Sequence, residues 1–104
     1  MIDWTKAREL PSETIEQREA IKREREAAVR KIIVTTLGGL VFDGDEASQA
    51  RMSRAYIALQ TKPDGFTTKW VLADNTAVEV TKETLQEALA LAGQAQTDIW
   101  ELPL

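Results

Sequence analysis

The sequence predicts an α+β domain: an N-terminal arm and long helix, then hairpin, helix, hairpin, helix. Three observations predict it. Short apolar runs flank Gly38-Gly39 and the Asp74-Asn75-Thr76 segment, and both connections carry hairpin turn chemistry. Each hairpin runs straight into a segment that opens on a capping residue and has apolar positions at helical spacing. The stretch from Glu16 to Lys31 is dense in Glu, Arg, Lys and Ala, all good helix formers. The expected organisation is an extended arm over residues 1–11, a helix over 12–32 and a small α+β domain over 33–104.

The arm, MIDWTKARELP, holds Ile2, Trp4 and Leu10 without a clean period. Trp4 has two readings: packed on the chain's own domain, or anchored in another subunit, where Trp is enriched at hot spots. Ser12 follows Pro11 as a helix N-cap, with Glu13 and Glu16 in the first turn. Glu19 with Arg23 and Glu26 with Arg30 are Glu-before-Arg pairs at i,i+4 spacing, each worth about 0.2–0.5 kcal/mol. The apolar positions of this helix are sparse. Ile21, Ala28 and Ile32 make a narrow stripe, too short for a coiled coil. Such a helix either leans, solvated, on its own domain or docks on a partner. The candidate partner-binding residues are Ile2, Trp4, Leu10, Ile15, Ile21 and Ala28.

In the first hairpin a two-residue Gly38-Gly39 loop sets Leu37 opposite Leu40 and Thr35 opposite Phe42. Ile33, Thr35, Leu37, Leu40 and Phe42 then share one face. Asp43-Gly44-Asp45-Glu46 carries an N-cap acceptor with a carboxylate three residues on, as in a capping box. The helix it opens is predicted over residues 44–60, with Met52, Ala55, Tyr56 and Leu59 as its buried stripe and Arg51 and Arg54 beside it in water. Lys62-Pro63-Asp64-Gly65 is a turn.

The second hairpin spans Phe66 to Thr81. Burying Trp70, Leu72, Val78 and Val80 together sets Leu72 opposite Val78 and Trp70 opposite Val80, with a three-residue loop centred on Asn75. Asn tolerates the left-handed conformation such loops need. Thr81 caps a final helix over 82–100, with Leu85, Leu89, Ala92 and Ile99 along one face, flanked by Ala88 and Ala95. Gly93 inside it costs about 1 kcal/mol relative to Ala, which implies close approach of a neighbouring backbone or local loosening of the helix.

Composition narrows the function classes. The chain has 104 residues, 43% hydrophobic and 29% charged, with no cysteine and no histidine. Disulfides, thiolate chemistry and triads built on Cys or His are therefore excluded. No run approaches the roughly 18 consecutive apolar residues of a membrane span, and residues 2–10 lack the apolar core of a signal peptide. Residues 1–33 carry a net charge of +1 and residues 34–104 a net of −5, which argues against a nucleic-acid partner. The acidic run at residues 43–46 lacks the later ligands of an EF-hand loop and reads as helix capping. There is no phosphate loop. The expectation is a non-enzymatic protein with no catalytic residue, no metal and no cofactor. A core of about 70 residues is marginal alone, which points to assembly.

These motifs carry a resemblance. Val41-Phe42-Asp43-Gly44-Asp45, then Ser48-Gln49-Ala50-Arg51-Met52, then Gly65-Phe66, Lys69-Trp70-Val71-Leu72-Ala73-Asp74-Asn75, Ala92-Gly93-Gln94-Ala95 and Ile99-Trp100 together resemble an uncharacterised domain family of tailed bacteriophages and prophages. The likeness covers about two-thirds of the chain, from Ile33 to Trp100. Such domains are commonly encoded among tail-fibre and baseplate genes, often as the C-terminal part of a longer protein. With only about 30 residues ahead of the matched region, the resemblance implies a small accessory or adaptor subunit of the virion tail, made in the host cytoplasm. It would act by protein–protein docking on other phage tail or fibre proteins and form a homo-oligomer, a trimer first, with no membrane partner. The alternatives are a non-virion chaperone of tail-fibre assembly and a receptor module that binds carbohydrate.

Overall fold

The computed structural model describes residues 15–101. Helix α1 (Ile15–Arg30) leads into a hairpin of β1 (Ile33–Thr35) and β2 (Val41–Asp43). Helix α2 (Glu46–Leu59), a second hairpin of β3 (Thr67–Val71) and β4 (Ala77–Thr81), and the long helix α3 (Lys82–Glu101) follow. The α+β class and the order hairpin–helix–hairpin–helix are those read from the sequence. The arm over residues 1–11 and the Ser12 cap lie outside the described residues.

Each hairpin packs one face against the helices. Phe42, Met52, Leu85, Ala88 and Ala92 are fully buried, joined by Val34, Leu59, Leu72 and Val80. Val29, at the end of α1, and Ile32, just after it, belong to the same core. The small side chains Ala88 and Ala92 let α3 lie close to α2 and to the first hairpin. A polar clasp fastens the start of α2 to α3. Gln49 donates from Nε2 to the Gly44 carbonyl at 2.9 Å and to Gln96 Oε1 at 2.8 Å. Gln96 in turn donates to Glu46 Oε1 at 2.8 Å. Arg25 of α1 lies over the Trp100 ring of α3, 5.3 Å from its centroid, in cation–π geometry.

The first hairpin differs in register from the sequence expectation. Val34 pairs with Phe42 and Thr35 with Val41, and the Thr36 N–H donates to the Leu40 carbonyl at 2.9 Å. The loop is therefore Leu37-Gly38-Gly39, three residues long. Its β-turn is closed by the Gly39 N–H on the Thr36 carbonyl, and Gly39 alone is left-handed at φ +87°. A one-residue slip moves a strand's whole side-chain set to the opposite face. Val34 and Thr36 are buried in place of Ile33, Thr35 and Leu37, and Leu37 is fully exposed. Its backbone N–H donates to Glu87 Oε2 on α3 at 2.6 Å, pinning the loop tip.

The second hairpin repeats this loop. Leu72 faces Thr76, Trp70 pairs with Val78, and Thr68 with Val80. The loop is Ala73-Asp74-Asn75, with the Asn75 N–H on the Leu72 carbonyl and Asn75 left-handed at φ +67°. The buried face of Trp70, Leu72, Val78 and Val80 is as expected, but its pairs are displaced by two residues. In both hairpins the left-handed residue stands last in a three-residue loop.

Two further expectations are corrected around α2 and α3. The N-cap of α2 is Asp45, not Asp43, and its carboxylate accepts from the Ser48 hydroxyl instead of a backbone N–H. Gly44 holds the chain out of the helix. It is wedged against Ile32 and Ala92, and its N–H donates to the Ile32 carbonyl at 2.8 Å. The close backbone approach expected at Gly93 is absent: nothing lies within 4 Å of a Cβ built there, and α3 runs through it unbroken. Close approach occurs instead at Gly44, where a Cβ would meet Ala92 at 3.0 Å.

Candidate functional site

The partner-binding residues expected from the sequence divide three ways. Ile2, Trp4 and Leu10 fall outside the described residues. Ile15 opens α1 and is 74% exposed, with every residue from 15 to 19 turned to solvent. Ile21 and Ala28 are half-buried, and α1 joins the chain's own core through Val29 and the Ile32 that follows it. The helix thus has two parts: a C-terminal half anchored in the domain and a first turn whose residues are all exposed. Glu19 and Arg23 form the expected i,i+4 pair at 4.0 Å, exposed and therefore weak.

Two clefts flank α2. The larger, of about 480 Å³, lies where α1, the start of α2 and the end of α3 meet, and is lined by Glu26, Arg30, Asp45, Glu46 and Trp100 among others. Its polar groups are of mixed sign. Among the described residues no set of three or more acidic side chains is placed to hold a metal ion.

The second cleft, of about 390 Å³, is different in kind. Arg51 and Arg54 of α2 and Lys69 of β3 line it together with Trp70 and Val71, and Ser48 and Asp43 complete the wall. Residues 34–104 contain only five Lys and Arg, and three of them meet here. The cleft exists because the two hairpins touch at one point and then part. The Ala73 N–H donates to the Val41 carbonyl at 3.0 Å, but β2 and β3 belong to separate sheets. Alternation along an antiparallel ladder turns the backbone groups of Val41 and Asp43 away from β1, and those of Lys69 and Val71 away from β4. These outward edges face one another across the gap, and α2 covers one side of it.

One member of the cationic set is held in place. Ser48 is buried, its hydroxyl donates to the Asp45 carboxylate, and it accepts from Arg51 Nη2 at 3.1 Å. That relay orients Arg51 along α2. Arg54 and Lys69 are exposed, as expected for the arginines flanking the apolar stripe. In the sequence Arg51 and Arg54 read only as solvated residues flanking the apolar stripe. Their i,i+3 spacing on a helix was the visible signal, but Lys69 joins them only through the fold.

Residues 13–100 match the model of a family described as Domain of unknown function (DUF4376). The chain belongs to this family. The match begins ahead of α1 and runs to the last turns of α3, so in this DUF4376 chain the helix and the two hairpin–helix units fall within one family span. No curated protein and no solved structure matches the chain.

Proposed function

We propose that this DUF4376 chain acts by docking, as a small structural or adaptor subunit gripped to a partner through the start of α1 and the residues before it. The observation that carries this reading is the two-part helix. Its last turns are built into the core at Val29 and Ile32, while its first turn, with Ile15 among it, is exposed. Residues 15–19 are helical yet exposed, so the Ile15 side chain is presented where a partner can cover it. The residues ahead of it include Ile2, Trp4 and Leu10, the apolar and aromatic types that anchor interfaces.

The motif resemblance points to the partner class: tail-fibre or baseplate proteins of a bacteriophage, with the chain a virion structural component of the tail. A homotrimer is the assembly that best suits a fibre's threefold axis. Mass spectrometry of purified virions tests the placement. Stoichiometric copies of this chain support it, and none would leave a departing assembly chaperone as the better reading. Light scattering on the full chain and on a variant lacking residues 1–19 tests the docking mode. That deletion removes the first turn of α1, with Ile15, and spares Val29 and Ile32. Self-association that survives it unchanged would refute a grip through this segment.

A further inference from the structure

We propose that the cleft between α2 and β3 is a binding site for a phosphomonoester, with Arg51, Arg54 and Lys69 on the phosphate and Trp70 and Val71 against the organic group that bears it. This goes beyond the docking role and does not rest on it.

Charge singles this cleft out. The chain has a net charge of −4, and residues 34–104 a net of −5. Against that background three cations converge on one cleft and leave the rest of residues 34–104 strongly acidic. A polyanion such as nucleic acid would be repelled by the surrounding field before it reached the cleft. The arrangement suits a compact anion taken up locally.

The number of cations then selects the anion. The lining carries three cations and one carboxylate, Asp43, with Asp45 behind Arg51 through Ser48 and Glu79 opposite Lys69 on the ladder. A phosphomonoester presents three acceptor oxygens, one for each cation. A carboxylate presents two and leaves one cation unmatched. Two guanidinium forks suit a tetrahedral oxyanion, and an ammonium adds a third point of contact.

The shape of the cleft adds the rest. Its volume of about 390 Å³ is within the usual range of small-molecule sites and several times what a bare phosphate fills. Beside the cations it has an apolar wall, half-buried Trp70 and exposed Val71. Arg51 is braced before any ligand arrives, through Ser48 and Asp45. A braced cation loses little side-chain entropy on binding.

The test is titration calorimetry on the full chain, with Trp fluorescence alongside. The probes are glucose 6-phosphate, a phosphoserine peptide, inorganic phosphate and glucuronate. The expected result is saturable binding of one or both phosphomonoesters, which also tells free ligand from modified side chain, with inorganic phosphate and glucuronate weaker. The exposed double variant Arg54→Gln/Lys69→Gln should keep its far-UV circular dichroism and lose affinity by about tenfold or more. Arg54→Gln alone should show part of that loss. No heat from either phosphomonoester at millimolar concentration would overturn the proposal. So would glucuronate binding as tightly as glucose 6-phosphate, inorganic phosphate binding as tightly as both esters, or variants that bind like the parent.

Discussion

Gly44→Ala should destabilise the fold, and its cost follows from two contacts. Gly44 is not in the left-handed region, so an alanine meets no backbone penalty there. The penalty is steric. A Cβ would sit 2.5 Å from Ile32 Cγ2 and 3.0 Å from Ala92 Cβ, where carbon atoms normally keep about 3.5–4.0 Å. Ile32 cannot swing clear, because it is β-branched and lies in the core. Ala92 is fully buried on a continuous helix, so relief there means moving α3. Overpacking of this kind costs about 1–3 kcal/mol. The alanine also restricts the unfolded chain, a gain of about 0.4–1 kcal/mol, so the net loss is about 1–2 kcal/mol. For a domain of this size that lowers the melting temperature by about 5–15 °C. Urea unfolding followed by circular dichroism should show the midpoint falling by about 1 M with the slope unchanged. In an Ile32→Ala background the same substitution should cost less, with a favourable coupling of about 1 kcal/mol. Gly93→Ala is the control. It lies mid-helix with open space around a built Cβ, and should stabilise by up to about 1 kcal/mol. A Gly44→Ala variant as stable as the parent, or strictly additive with Ile32→Ala, would refute the wedge.

Other outcomes follow from the same structure. Met52 is fully buried between α3 and the hairpins, and Met52→Ala should cost about 2–5 kcal/mol in denaturant unfolding. Asn75 closes its loop at φ +67°, so Asn75→Val should destabilise by about 1–2 kcal/mol while Asn75→Gly is tolerated, which thermal melts would separate. The Thr76 backbone N–H, 3.0 Å from Asp74 Oδ1, and then the Thr76 hydroxyl hold the Asp74 carboxyl below its ordinary value of 3.8. Because the folded value is the lower one, the ionised form's contribution to stability is present above pH 3.8 and is lost as pH falls through the folded value. Carbon-detected NMR titration should place the Asp74 midpoint below 3.8, and Thr76→Ala should raise it.

Much of the architecture was legible because its signals are local. Gly38-Gly39 and Asn75 mark turns, Thr81 sits at the start of α3, where its hydroxyl accepts the Thr84 N–H at 3.4 Å, and Leu85, Ala88 and Ala92 repeat at helical spacing. The candidate site was much less legible. Ile15 is exposed and Ile21 and Ala28 are half-buried, and the cationic cleft is assembled only by the fold. Eighteen positions separate Arg51 from Lys69, and no spacing rule joins a helix residue to a strand in a different unit.

By itself the sequence determined the element types, their order and the chemistry available, since turn residues, caps, apolar period and the lack of Cys and His act within a few positions or not at all. Tertiary structure alone decided which strand face went inward, which glycine is wedged between neighbours and which cations became neighbours. A register differs from its rival by one residue's slip, so only the helices packed beneath can choose between Val34 and Ile33. Gly44 matters only because Ile32 and Ala92 close on it from distant parts of the chain.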